Sequence, residues 1–384
     1  MSNYTEAFKT LEEFKTRYET SIALENSTND IKIRNKILKS NPLNDYLDEI
    51  PKQYNIENTK LIDSKMLIHS YDCNGINNIK PELWFNPSMI EYEDGYLLVY
   101  RTDLKNEKLK RWCVYINLHL VKLNKKYKVV GENKTLKLHT NPKTFLDKYI
   151  KELPKGHHCE DPRMIIFNKK IYLFYTDGFK QLLALINLDT LDVEHSDYLE
   201  SPFNTQFEKN WTPLVKNNEL YLVYGYSPLF TIIKLNRDNP WLIDTIISQK
   251  TLLKDVWNYG DIRGGTPWIM THDDKYYISM FHSSKQLTPI IEYSKVYFAG
   301  IILLNKDMVP VAISKIPVIR GQIQSFTIDR LNQNIFVVFP GGNIYDEDKE
   351  KYLFSFGNND YENRILEIEK DKIYDNLLWF KKHS

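Results

Sequence analysis

Two adjacent carboxylates, a proline and an arginine, Glu160-Asp161-Pro162-Arg163, stand directly before the apolar run Met164-Ile165-Ile166-Phe167. Strand formation explains the run, and it allows a proline at a strand head, where no ladder hydrogen bond is donated. It does not explain an acid pair followed by an arginine. Comparable residues precede other short apolar strands: Asn86 before Pro87, Glu208 and Lys209 before Pro213, and Arg263 before Pro267, while Asp360 follows the last such unit. Trp84, Trp211 and Trp268 stand beside the same positions. Acids, cations and flat rings gathered in one pocket suit a carbohydrate that bears or meets an anion, because hydroxyls take charged partners and C–H faces pack on rings. Asp161, Asn86, Glu160, Arg163, Trp211, Trp268 and Asp360 are therefore candidates for contact with a sugar. Each also has a plainer use: Asp161 capping a turn, Arg163 pairing with Glu160, the tryptophans packing strands. No metal site is expected. His157-His158 lack neighbouring ligands at zinc spacing, and Cys73, Cys113 and Cys159 show no metal-binding spacing.

Such distant residues meet only if the elements carrying them converge. The stretch Glu160 to Tyr175 reads as two strands joined by a polar turn at Asn168-Lys169-Lys170. Similar pairs run from Phe85 to Arg101, Asn210 to Tyr224, Gly265 to His282 and, more loosely, Phe339 to Phe356. Their prolines, at 87, 162, 213, 267 and 340, are 51 to 75 residues apart, which leaves room for two more strands per unit. Repeats of this length and composition predict a β-propeller of five blades, with independent meanders as the alternative. The first strand of each blade lines the central channel, so residues heading those strands share one pocket. Tyr297 to Leu304 is a further, core strand. Before the repeats, Phe8, Leu11, Phe14, Tyr18 and Ile22 recur at helical spacing, and a second helix is expected over 27–38, ended by Asn41-Pro42. The expected organisation is a helical N-terminal extension over 1–60 and an all-β propeller catalytic domain over 61–384. The amphipathic arm packs on its own domain or serves as a contact between identical subunits.

The 384 residues carry 51 basic and 50 acidic side chains, a balance that calls for neither a nucleic-acid nor a membrane partner. The 26 tyrosines suit a β-rich core and sugar-stacking surfaces alike. The chain begins without the basic-then-apolar pattern of a signal peptide and holds no apolar run of about 20 residues. With three cysteines that form no even set, a cytoplasmic location with reduced thiols is expected.

Glu160-Asp161-Pro162-Arg163 before an Ile-rich strand resembles the signature of glycoside hydrolase family 130, the β-mannoside phosphorylases. Asn86-Pro87 with Tyr100-Arg101, Gly264-Gly265-Thr266-Pro267 with Phe281-His282, Tyr297 to Leu304 followed by Val318-Ile319, and Phe339-Pro340-Gly341-Gly342 with Phe356 to Asp360 resemble further segments of that family in the same order. The similarity runs from about Trp84 to Ile368. It implies an inverting phosphorylase on a five-bladed propeller, with Asp161 as proton donor and Arg101, Lys209 and His282 holding phosphate. No cofactor is implied beyond inorganic phosphate or a sugar phosphate as co-substrate. Phosphate arrives as an anionic nucleophile, so one acid and a cationic cradle suffice where hydrolysis would need a second carboxylate. At Lys209-Asn210-Trp211 the sequence departs from the family's usual Lys-Asp and is similar to related β-1,2-mannosyltransferases. Three readings thus stand: a phosphorylase, a glycosyltransferase drawing on a sugar nucleotide or sugar phosphate, and a propeller that only binds glycans.

Overall fold

A computed structural model describes residues 50–62, 71–73, 76–79, 83–106, 111–140, 157–203, 205, 207–286, 295–321 and 336–380. The expected N-terminal helices lie outside these residues. Within them the chain is all-β, and its antiparallel sheets are arranged as in a propeller. The first sheet orders Leu83–Tyr92, Gly95–Asn106, Arg111–Asn124 and Val129–Thr135 side by side, with His157–His158 pairing in parallel on Arg111–Asn124. The second comprises Glu160–Phe167, Lys170–Thr176, Gln181–Asn187 and Val193–Tyr198. The third comprises Thr212–Lys216, Glu219–Gly225, Leu229–Leu235 and Ile243–Lys250. In the fourth, Asp261–Arg263 and Ile269–Met270 both pair with Tyr277–Gln286, followed by Lys295–Leu304, Pro310–Ser314 and the C-terminal Leu377–Trp379.

Those four sheets are dominated by consecutive strands. The last sheet is composite: Val338–Asp346, Lys351–Asn358 and Glu362–Glu369 are completed by Lys60–Leu61, with Lys60 opposite Ile365. Where five blades were expected, the propeller arrangement thus shows four blades of mainly consecutive strands, with this composite sheet beside them. Just before Lys60–Leu61, Gln53 and Tyr54 donate backbone hydrogen bonds to Pro317 and Val318. Pairing strands from far ends of the chain costs more loop-closure entropy on folding than pairing neighbours does.

Each sheet packs face to face on the next. Val99 and Leu118 share an apolar cluster with Leu173 and Leu182 between the first and second sheets, Phe174 shares one with Leu222 between the second and third, and Leu214 shares one with Phe281 between the third and fourth. Ile278 and Phe354 belong to one cluster between the fourth and last, and Leu98 and Leu353 to another between the last and first. Strands covered on both faces read as continuous apolar runs, which is why Ile171 to Tyr175 does not alternate. Outer strands such as Ile243–Lys250 have only one covered side and are mostly exposed. The turns follow the same local logic. Asn168-Lys169 and Asn217-Asn218 have φ of 49° and 59° and of 51° and 58°, the pairs of positive values that two-residue hairpins require.

The inner strands carry an irregularity at one level. In the first sheet the register passes from Phe85↔Arg101 to Ser88↔Val99, so Asn86-Pro87 together oppose Tyr100. In the second it passes from Arg163↔Phe174 to Glu160↔Thr176, so Asp161-Pro162 oppose Tyr175. These are β-bulges, which bend a strand and re-aim its side chains. Their first residues have φ of 52° at Asn86 and 54° at Asp161, and Asn210 at the head of the third sheet has 66°. Asn and Asp tolerate that left-handed conformation better than other residues with a side chain.

Candidate active site

Because Asn86 and Asp161 occupy equivalent bulges of neighbouring sheets, their side chains meet. Asn86 Nδ2 donates to Asp161 Oδ1 at 2.9 Å, and Arg101 Nη1 approaches the same oxygen at 3.3 Å. Asp161 is 6% exposed, and among the described residues its Oδ2 receives no hydrogen bond. Arg101 comes from Gly95–Asn106, opposite Phe85, over whose ring its guanidinium lies at 4.7 Å. Its strongest partner is Asp103, with Nε to Oδ1 at 2.7 Å and Nη2 to Oδ2 at 2.9 Å, and Nη2 lies 3.4 Å from Glu160 Oε1. Glu160 Oε1 also meets His158 Nε2 at 2.6 Å. One cation thus ties three carboxylates together. Burial opposes ionisation of Glu160, but Arg101, His158 and Lys209 hold its carboxyl well below the usual carboxylate range. Burial likewise opposes the charge on Arg101, and Asp103, Glu160 and Asp161 outweigh it.

Arg163, expected to touch substrate, is 1% exposed and bonded on every side. Nε donates to Gly265 O at 2.6 Å, Nη1 to Asp161 O at 2.7 Å, and Nη2 to Asn210 Oδ1 and Gly264 O, each at 3.1 Å. It therefore fastens the heads of the second, third and fourth sheets, and burial pushes its guanidinium down to about 10. The close approach there requires glycine, since a Cβ on Gly264 would lie 1.9 Å from Asn210 O. Trp211 and Trp268 are each 2% exposed within the apolar layers between sheets, and Trp268 Nε1 donates to Thr212 Oγ1 at 3.0 Å. Neither offers a ring face to solvent, so packing is the use the structure makes of them.

His282 is opposite Arg263 in register and is 1% exposed, against Phe339 at 4.7 Å and stacked on Tyr297 at 6.0 Å. Burial, and then Arg163, Arg263 and Lys209, lower its pKa well below the ordinary histidine value, so the ring is neutral and supplies no charge. Lys209 and Arg263, by contrast, are exposed, yet close enough for their charges to act on His282. Asp360 is partly exposed at φ 48°, and its charge, with that of Asp161, raises the pKa of Tyr297 beyond what burial does. Beside Lys209, Phe207 is 59% exposed and stacks on Phe179 at 5.6 Å, and the backbone N–H of buried Glu208 donates to Phe179 O at 2.6 Å.

The structure therefore brings Asn86, Arg101, Glu160 and Asp161 into direct contact and sets Lys209, Arg263, His282 and Asp360 within electrostatic reach. Asp103, His158, Asn210 and Tyr297 were not singled out from the sequence as site residues. Asp103 was the most accessible of them, because it lies two residues beyond Arg101 and so on the same face of one strand. Among the described residues no group of His, Cys, Asp or Glu is placed to hold a metal ion, and no helix is long and apolar enough to cross a membrane.

A propeller whose inner strand heads present acids, cations and amides together has the groups that a sugar and an anion need. A family model described as beta-1,4-mannooligosaccharide phosphorylase matches residues 56–378, and the chain belongs to that family, glycoside hydrolase family 130. Among solved structures, Listeria innocua β-1,2-mannobiose phosphorylase in complex with β-1,2-mannobiose is similar at a TM-score of 0.54 and 14% identity, covering 83% of this chain and 99% of that one. A putative glycoside hydrolase from Parabacteroides distasonis gives a TM-score of 0.54 at 14% identity, covering 79% and 97%. At such identities the likeness concerns the fold. No curated protein matches.

Proposed function

We propose that this chain is an inverting β-mannoside phosphorylase on a propeller of five blades, the composite sheet being the fifth. Asp161 gives its proton to the glycosidic oxygen as the C1–O bond breaks, and phosphate forms the new C1–O bond from the opposite face, releasing mannose 1-phosphate. The observation that carries this reading is the arrangement of Asp161. Its Oδ1 is held by Asn86 and Arg101, while Oδ2 has no partner among the described residues. Glu160 and Asp103 are already engaged with cations, which leaves an anionic nucleophile as the economical choice. Lys209 and Arg263 are the cations with exposed side chains, so they hold phosphate, while Arg101 steers the acid and neutral His282 supports the wall. Asn86, Glu160 and Asp360 line the sugar site, with Phe207 beyond them. Cys159 is a buried free thiol, in keeping with the cytoplasmic setting this reading assigns.

Incubation with mannose 1-phosphate and sugar acceptors, and separately with GDP-mannose, tests the donor. Product from the sugar phosphate alone is expected, whereas product from the nucleotide alone makes the chain a transferase. Asp161→Asn is expected to lower kcat by about a hundredfold to ten-thousandfold while glycan binding persists. Undiminished turnover would remove Asp161 from the role.

A further inference from the structure

His158 belongs to no metal-binding group among the described residues, yet its ring lies 2.6 Å from an acid of the candidate site. Its backbone is held by the first sheet. Ile116 is opposite His158 in a parallel pairing, and Cys159 N donates to Ile116 O at 3.0 Å. One residue later Glu160 opens the second sheet, opposite Thr176. Residues two apart in an extended chain face the same side, so the His158 ring reaches Glu160 across the joint between the sheets, Nε2 to Oε1. Although burial opposes it, Arg101, His158 and Lys209 keep Glu160 ionised, and an ionised carboxylate only accepts. Nε2 therefore carries the proton and donates. The ring is also backed closely by Gly178, at φ 91°, where a Cβ would lie 3.2 Å from Nε2.

That bond leaves Glu160 with two unlike oxygens. Oε1 takes His158 and lies 3.4 Å from Arg101 Nη2, whereas Oε2 accepts no hydrogen bond among the described residues and is not sealed from solvent. Asp161 is divided in the same way, with Oδ1 held by Asn86 and by Arg101 Nη1. The two neighbouring acids thus share one guanidinium, and each keeps one oxygen for something else. For Glu160 that partner is not phosphate, because a carboxylate repels an anion. A sugar hydroxyl, by contrast, donates to it.

We propose that His158 is a positioning residue for sugar recognition: by fixing Oε1 it turns Oε2 of Glu160 toward a hydroxyl of the sugar unit beside Asp161. His158 itself does not touch the sugar. The inference rests on the sugar site assigned above, and it gives that site a hydroxyl-reading side at Glu160, opposed in charge to the phosphate side at Lys209 and Arg263. Without the imidazole donor, Glu160 is held by Arg101 alone, and the hydroxyl loses a fixed acceptor.

Substitutions in the full chain test this with two readouts: calorimetric titration of β-1,2- and β-1,4-mannobiose without phosphate, and separate KM values for mannoside and phosphate in phosphorolysis. His158→Phe keeps a ring against Gly178 but removes the donor. It is expected to weaken mannobiose binding and raise the mannoside KM at least about tenfold, with the phosphate KM unchanged. His158→Gln, which can set an N–H near the same oxygen, is expected to recover most of that loss. Glu160→Ala is expected to weaken sugar binding at least as much, and adding His158→Phe to it should cost little more, because the histidine acts through that acid. Additive losses, a loss shared equally by phosphate, no recovery in His158→Gln, or full sugar affinity in His158→Phe would each overturn the inference and leave the phosphorylase reading standing. Failure of the unsubstituted chain to bind either mannobiose would remove the sugar site itself, and this inference with it.

Discussion

The inner strands change character from head to tail. At their heads, Asn86, Asp161 and Asn210 take left-handed conformations, three strands bulge, and buried carboxylates are tied to Arg101. A few residues on, the strands are regular and present Ile90, Ile166, Ile269 and Ile344 to an apolar cavity. One strand therefore delivers both environments, and the difference lies in register. A bulge displaces side chains from simple alternation and gathers polar groups that a regular pleat would send to opposite faces. Such strained backbone persists only where the surroundings over-determine it, and here Arg163 supplies that restraint through three carbonyls and Asn210.

Breaking the charge balance at the heads should have the largest effect. Asp103→Ala leaves Arg101 buried without its two-pronged partner and is expected to cost about 3–5 kcal/mol, read as a drop in denaturant midpoint. A drop as small as that of an exposed ion pair would mean that Glu160 and Asp161 alone satisfy Arg101. Next comes the backbone clamp. Gly264→Ala drives a methyl group into Asn210 O and is expected to destabilise by about 1–3 kcal/mol, with kcat falling as Asn210 and Arg163 shift. The regular tails offer the contrast, since a substitution at exposed Ile166 should leave kcat alone.

Smaller effects sharpen the division of labour among the cations. Lys209 is exposed, so Lys209→Ala should leave Tm unchanged while raising the KM for phosphate about tenfold, equivalent to about 1.4 kcal/mol of binding. An unchanged KM would assign the anion to Arg263 alone. The pH dependence separates His282 from Glu160. His282 has a depressed folded pKa, so the unfolded ring binds protons that the folded one refuses. Its contribution is full above about pH 6.5 and is lost as pH falls below that value. His282→Gln should flatten this part of the stability curve, whereas Glu160→Gln should flatten only the loss below the ordinary carboxylate range near about pH 4.3. Identical profiles for the two variants would contradict both assignments.

Much of this was legible in the chain. The strands of the second sheet were marked by their apolar runs, its hairpin by Asn168-Lys169, and the level of the candidate site by the recurring prolines, because these features depend on near neighbours. Asp161 and Arg101 could be nominated on the same basis. What they do to each other could not. Arg163 and Arg101 are both arginines beside a bulge, yet one binds carbonyls as a clamp and the other binds acids. His282 reads as a candidate cation until its burial among Arg163, Arg263 and aromatic rings makes it neutral. The use of Lys60–Leu61 to finish the last sheet is likewise invisible locally, since its partner lies some three hundred residues away. Sequence alone determined which segments become strands and which residue types stand at their heads, for those follow from local propensity and pattern. Only the tertiary structure decided which charges are paired, buried or left for a ligand, because the energy of a charge is set by what other segments bring within a few ångströms of it.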